Sequence, residues 1–253
     1  MFGLRNIGGS CWVNATLQSV FRIPALQERY DALDADALNT VDNALQRVWS
    51  THGSGLPEFF ETIRSENMPA GQGIGDSHEL LMALCDKLPW LDKELRFGFG
   101  TKITCNQCDY TNLVRESVLE FPVMPSKECK TLSDSIQRSV RPYEDLGWVC
   151  EKCHGTGCTQ QHLLAELPNI LVFHRRNLDN TFQYPSVLVL NKKKFALFSV
   201  VCYNGGHWWT IARDLPPGKP WVTYDDSDIR KHDPNHFPLA SNMRLLFYAR
   251  INS

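Results

Sequence analysis

The sequence predicts an α+β fold, helical in its first third, built of strands in its last, with a metal-stapled excursion between. Three observations carry this. Apolar residues recur at helical spacing up to residue 95, as amphipathic helices packed on a core require. Two Cys-x-x-Cys pairs, Cys105 with Cys108 and Cys150 with Cys153, then interrupt that pattern. Past Glu166 the chain divides into short runs rich in Val, Phe, Tyr and Trp, punctuated by Pro, Gly, Asn and Asp, which read as strands and turns. Helices gathered at one end and strands at the other make α+β rather than alternating α/β.

Bulk properties narrow the function. The 253 residues are 43% hydrophobic, enough for a substantial core in one large domain or two small ones. A net charge of −2 and a pI near 6.4 supply no field to attract nucleic acid or a membrane surface. No apolar run approaches the roughly 20 residues that span a bilayer, and the opening MFGLRNIGGSCW lacks the apolar segment of a signal peptide. Nine cysteines, unevenly placed, do not make a disulfide scaffold, so a reducing cytoplasmic or nuclear setting is expected.

Residues 3–18, GLRNIGGSCWVNATLQ, open the helical part. Val13, Leu17, Val20 and Phe21 lie on one helical face, with Cys11 at or just before the helix start. Leu38, Val41, Leu45, Val48 and Trp49 form a second stripe, ending near turn-rich 51–55. Leu56, Phe59, Phe60 and Ile63 form a third, with Pro57 suited to a first turn. A glycine-rich loop, 69–75, leads into Asp76-Ser-His-Glu79 and a fourth stripe of Leu80, Leu81, Leu84 and Leu88. Asp76 with Glu79 has the spacing of a capping pair, and His78 reads as a surface or half-buried helix residue.

The two Cys-x-x-Cys knuckles stand 41 residues apart (150 − 108 − 1). Each pair chelates through a tight turn, and four thiolates close a tetrahedral zinc site. The intervening chain must therefore run out as strands and return. His154, Cys158 and His162 lie near the second pair but fit neither knuckle, while Cys85, Cys129 and Cys202 read as small hydrophobes. Strands are expected at 170–173, 186–190, 195–201, 208–212, 221–224 and 245–250.

The chemistry begins at Cys11. The unpaired N–H groups and dipole of a helix start favour negative charge, which lowers a thiol's pKa and populates the nucleophilic thiolate. Gly8 and Gly9 permit positive φ or a close backbone approach. Asn6 is placed to turn its amide toward an oxyanion. Far downstream, His207 follows a Gly-Gly turn at the start of a strand, and Asp225-Asp226 ends another. If those strands are neighbours, Asp225 fixes the His207 tautomer and leaves the other ring nitrogen for Cys11, which is the nucleophile–base–orienter arrangement.

With these residues in view, the sequence resembles the ubiquitin-specific protease family over nearly the whole chain. The family's Cys box, Gly-Leu-x-Asn-x-Gly-Asn-Thr-Cys-Tyr-x-Asn-Ala-x-Leu-Gln, stands here as GLRNIGGSCWVNATLQ. Its Gln-Gln-Asp-Ala-x-Glu-Phe segment stands as Ile74-Gly-Asp-Ser-His-Glu-Leu80. The zinc knuckles match, as does Leu167-Pro-Asn-Ile-Leu171, and the His and Asp boxes stand as Gly206-His207-Trp208 and Trp221-Val-Thr-Tyr-Asp225-Asp226. The resemblance implies Cys11 as nucleophile, His207 as base, Asp225 as its orienter, Asn6 at the oxyanion and Asp226 sharing that polar role. It implies that Asp76, Glu79, Gly206 and Trp208 meet the modifier's tail, and that Cys105, Cys108, Cys150 and Cys153 hold a structural Zn2+.

The implied fold is a papain-like cysteine protease shaped as a hand. Residues 1–95 make a helical thumb, 96–165 zinc-bearing fingers and 166–253 a β palm, all one catalytic domain. The implied activity removes ubiquitin from proteins or polyubiquitin chains; a protease for another ubiquitin-like modifier and a non-catalytic ubiquitin-binding module are the alternatives. The sequence departs from the family in five places. Gly9-Ser10 replaces Asn-Thr, Trp12 and Trp208 each replace Tyr, Gly75 replaces Gln, and the segment between Val201 and His207 is short, which predicts an open cleft.

Overall fold

The computed structural model describes residues 2–32, 39–68, 75–123, 129–175, 183–233 and 242–251. Leu38 of the second stripe and residues 69–74 of the glycine-rich loop lie outside the described residues. Among the described residues the first 95 form helices α1 Cys11–Val20, α2 Pro24–Ala32, α3 Thr40–Ser50, α4 Leu56–Ser65, α5 Ser77–Lys87 and α6 Pro89–Leu95. The apolar stripes read from the sequence are the faces that α3, α4 and α5 bury. Asp76 caps α5, its carboxylate accepting the His78 N–H at 2.6 Å; the Glu79 side chain is exposed.

Helix α1 is the exception to one-sided burial, because every residue from Cys11 to Val20 is buried. It runs between α5 and the large sheet, so its polar side chains need partners on both sides. Thr16 Oγ1 donates to the Trp12 carbonyl at 2.9 Å and reaches the Ser77 carbonyl at 3.2 Å. Toward the sheet, Ser19 Oγ meets Ser199 Oγ at 2.8 Å and Thr210 Oγ1 donates to the Ala15 carbonyl at 2.7 Å.

The middle of the chain makes a four-stranded sheet of β1 Phe97–Cys105, β2 Thr111–Val118, β4 Tyr143–Val149 and β5 Thr156–Leu164, in the order β2-β1-β5-β4. The remainder is an eight-stranded sheet. Its strands are β3 Phe121–Val123, β6 Ile170–Arg175, β7 Val187–Leu190, β8 Lys193–Tyr203, β9 Trp208–Ala212, β10 Val222–Asp225, β11 Asp228–Lys231 and β12 Met243–Ile251. The order is β11-β10-β9-β8-β12-β6-β3, with β7 also on β8. Six of these strands are those expected from the sequence, within a few residues at each end. Strand β11, exposed along its length, has no apolar run to announce it.

Parts of the excursion pack on the large sheet rather than on the four-stranded one. Strand β3 pairs in parallel with β6, and helix α7 Leu132–Ser139 buries Leu132 and Ile136 in the core of the large sheet. The chain therefore touches the palm midway between the two knuckles. The apolar signal of these pieces is too brief to separate from loop.

Thumb, finger base and palm also meet at one polar contact. Glu120, just before β3, pairs with His78 Nε2 at 2.5 Å and with His174 Nδ1 of β6 at 3.3 Å. Burial pushes the Glu120 carboxyl up, but the two imidazoles outweigh it and hold it well below the usual carboxylate range. The imidazole rings stack with centroids 3.9 Å apart at 19°. The trio ties the start of α5, the residue before β3 and strand β6 together.

Two of the departures from the family pattern explain each other. A Cβ placed on Gly75 would lie 2.6 Å from the Trp12 indole, so the larger ring at position 12 occupies the space a side chain at 75 would use. Gly75→Ala is expected to lose about 1–3 kcal/mol of stability in urea unfolding by overpacking, and Trp12→Tyr added to it to recover most of that loss.

Candidate active site

Cys11 opens α1 after a loop shaped by two glycines. Gly8 and Gly9 take φ of 98° and 79°, a region that costs glycine little. In that conformation the N–H groups of Gly8, Gly9 and Ser10 all turn toward Asn6 Oδ1, at 3.1, 3.0 and 3.3 Å. The other end of the Asn6 amide donates to Asp226 Oδ2 at 2.9 Å. Asn6 thus holds the loop, and its second amide hydrogen is what remains for an oxyanion.

Asp226 gathers more than Asn6. Its Oδ1 accepts from Asn14 Nδ2 at 2.7 Å and its backbone carbonyl accepts the Leu4 N–H at 2.9 Å. It sits at φ 53° in the two-residue turn between β10 and β11, a conformation Asp tolerates better than most residues. The approach is close: a Cβ on Gly3 would meet the Ser227 carbonyl at 2.7 Å. Sequence reasoning placed Asp226 near the oxyanion. The structure places its carboxylate between the Cys11 loop and α1.

His207 arrives on the turn between β8 and β9. Asn204 Oδ1 accepts the N–H groups of Gly206 and His207 at 3.2 and 3.0 Å, closing a four-residue connection. The ring then points Nε2 at Asp225 Oδ1, 2.5 Å away, so Nδ1 is the nitrogen left over. Antiparallel pairing of β9 with β10 makes the strands carrying His207 and Asp225 neighbours, as the sequence required. Asp225 Oδ2 accepts from Arg230 Nη2 at 3.2 Å. Nothing in the sequence pointed to Arg230, because it lies on the unannounced strand β11.

The sequence predicts a lowered thiol pKa at the helix start; burial, with Cys11 only 3% exposed, outweighs that effect, although the amides of Cys11 and Trp12 at the start of α1 do lower it. Burial pushes its thiol above the ordinary range, while the Trp208 amide donating to Sγ pulls it down and Asp226 adds repulsion. Among the described residues no hydrogen bond joins Cys11 to His207. The Trp208 amide is nevertheless at the sulfur, which sets His207, one residue earlier, at the same edge.

The remaining tail-contact candidates are spread. Gly206 is exposed on the β8–β9 turn. The Trp208 indole is 4% exposed and stacked on Tyr203 with centroids 4.5 Å apart, so its backbone rather than its ring faces Cys11. Asp76 lies close enough to Arg244 to favour that cation, in addition to capping α5.

The four knuckle cysteines do converge. Cys105 Sγ is 3.7 Å from Cys153 Sγ and Cys108 Sγ 3.8 Å from Cys150 Sγ, and all four sulfurs lie within 4.8 Å of one another. Tetrahedral metal–sulfur bonds of about 2.3 Å give sulfur–sulfur edges of about 3.8 Å, so the set fits zinc. The knuckles repeat one design. Amides of Gln107 and Lys152 donate to the first sulfur of each pair, both at 3.4 Å, and Asp109 and His154 both turn the chain with positive φ. His154, Cys158 and His162 are not part of the cluster.

A thiol at the start of a buried helix, an imidazole on the turn before β9 and a carboxylate behind it stand on the papain-like cysteine-protease fold, with thumb, four-cysteine fingers and palm. The chain belongs to the ubiquitin carboxyl-terminal hydrolase family, whose description matches residues 2–248. Ubiquitin carboxyl-terminal hydrolase 22-A of Xenopus laevis is 22% identical over 349 residues, covering 97% of this chain and 65% of that protein. Ubiquitin carboxyl-terminal hydrolase 24 of Mus musculus is 26% identical over 196 residues, covering 68% of this chain and 8% of that protein. The chain thus spans less than two thirds of the length of either relative. Among solved structures, the SAGA DUB module Ubp8/Sgf11/Sus1/Sgf73 bound to monoubiquitin matches with a TM-score of 0.83 at 17% identity, covering 100% of this chain and 69% of that one. The same module bound to ubiquitin aldehyde matches at 0.82, with 17% identity and coverage of 100% and 70%.

Because burial opposes thiolate formation, His207→Ala should leave Cys11 with a single alkylation titration centred above the ordinary thiol value of about 8.5. Iodoacetamide rates against pH check this: below that midpoint the variant is slower than wild type, where an imidazolium partner stabilises the thiolate at lower pH.

Proposed function

We propose that this chain is a cysteine isopeptidase that removes ubiquitin from proteins or polyubiquitin chains. The observation that carries the reading is the His207 Nε2–Asp225 contact, which orients the imidazole and leaves Nδ1 for Cys11. In the reaction, Nδ1 takes the Cys11 proton and the thiolate attacks the carbonyl of the modifier's terminal glycine. The oxyanion forms beside the start of α1 and the free hydrogen of Asn6 Nδ2. The imidazolium then protonates the leaving lysine amine, and water activated by the same ring hydrolyses the thioester. Asp225 keeps the tautomer and stabilises the imidazolium between steps. Asp76, Glu79 and Gly206 bind the tail of the modifier, and the short Asn204–His207 connection leaves the cleft open above it.

The four knuckle cysteines hold a structural Zn2+, which supplies folding energy to the fingers rather than chemistry. Free knuckle thiols, with no disulfide among the cysteines described, accord with a cytoplasmic or nuclear compartment. The support for ubiquitin as partner is family membership together with two fold neighbours whose titles state bound monoubiquitin and ubiquitin aldehyde.

The test is turnover of a ubiquitin C-terminal fluorogenic amide, with a ubiquitin vinyl probe mapped by mass spectrometry. Turnover, loss of at least about a thousandfold in Cys11→Ala, one adduct on Cys11 and about one zinc per chain are expected. Ubiquitin binding without turnover, unchanged in Cys11→Ala, would instead make the chain a binding module. Reaction only with probes built on another modifier would reassign the substrate.

A further inference from the structure

Asp225 has two oxygens, and only one faces the imidazole. The other, Oδ2, is 3.2 Å from Arg230 Nη2. The reason lies in the register of the β10–β11 ribbon: Asp225 pairs with Asp228 and Thr223 with Arg230. Two carboxylates stand directly opposite each other, an unfavourable cross-strand pair. Arg230, the diagonal neighbour of Asp225, answers both. Its Nε lies 3.6 Å from Asp228 Oδ2 while Nη2 takes Asp225. Asp226 adds a third carboxylate, with an oxygen within 4.8 Å of both the His207 and Asp225 ligand atoms.

We propose that Arg230 is a positioning residue for the catalytic pair, fixing the Asp225 carboxylate plane so that Oδ1 presents to His207 and screening that site from Asp228. The proposal rests on the assignment of His207 and Asp225 as base and orienter. A guanidinium suits this place because its planar fork reaches two carboxylates at once. It also acts on charge. The groups around the imidazole are Asp225 at the end of β10, Asp226 on the turn, Asp228 across the ribbon, Cys11 on α1 and the Arg230 cation. Of these, only Arg230 disfavours the imidazolium, so its removal leaves three carboxylates to hold that proton. Arg230 is 60% exposed, so solvent screens the effect to a fraction of a pH unit.

The experiment compares wild type, Arg230→Gln and Arg230→Lys in two assays: the pH profile of Cys11 alkylation by iodoacetamide, which needs no ubiquitin, and kcat and KM on the ubiquitin amide. In Arg230→Gln the alkylation profile should move to lower pH by about half a unit. Its kcat should fall several-fold, with KM within twofold and the melting temperature unchanged. Arg230→Lys, which keeps the charge and loses the fork, should return the profile to its wild-type position and recover only part of kcat. Superimposable alkylation profiles in wild type and Arg230→Gln would overturn the proposal. So would a fall in kcat that tracks a lowered melting temperature. If no ubiquitin is turned over by any form, the isopeptidase reading fails, while the alkylation profiles still decide the role of Arg230.

Discussion

The active site depends on one carboxylate that need not touch substrate. Asp226 is bonded through Oδ1 to Asn14, through Oδ2 to Asn6 and through its carbonyl to Leu4. Those three residues are the nucleophile helix, the loop before it and the segment leading into that loop. Asp226 itself adjoins Asp225 on the strand neighbouring the one His207 begins. A contact between residues 212 and 220 positions apart therefore joins the half that carries the sulfur to the half that carries the imidazole. Hydrogen bonds to a charged group are worth about 1.5–3 kcal/mol each, enough to hold a glycine-rich loop in one conformation. Without Asp226 the Asn6 and Asn14 amides would each lose that acceptor.

The same packing that aligns the sulfur opposes its ionisation. Burial of Cys11 outweighs the amide of Trp208 and the start of α1 and holds its thiol above the ordinary range. The structure orients the His207 ring through Asp225 with no direct hydrogen bond to sulfur among the described residues.

Much of this was legible in the residues. Helical spacing located the stripes of α3, α4 and α5, alternation located six palm strands, and Cys-x-x-Cys spacing located four sulfurs that the structure brings within bonding range of one ion. Cys11, His207 and Asp225 stood out as candidates because each sits beside a turn signal in the sequence. What escaped had no pattern to offer. Arg230 lies on a short polar strand, and β3 and α7 are too brief to show a period. The state of Cys11 depends on what is stacked around α1, which local sequence cannot count. The Asn6 contact to Asp226 is a relation between distant residues, visible only once the sheet has brought the β10–β11 turn against the N-terminal segment.

The measurement that bears most directly on this account is amide hydrogen exchange of Asp226→Ala beside wild type, with turnover of the ubiquitin amide recorded on the same samples. The account predicts faster exchange confined to residues 2–10 and the first turn of α1, unchanged protection in β8 and β12, and turnover reduced at least about tenfold. Equal protection of residues 2–10 in the two proteins, with turnover intact, would contradict it.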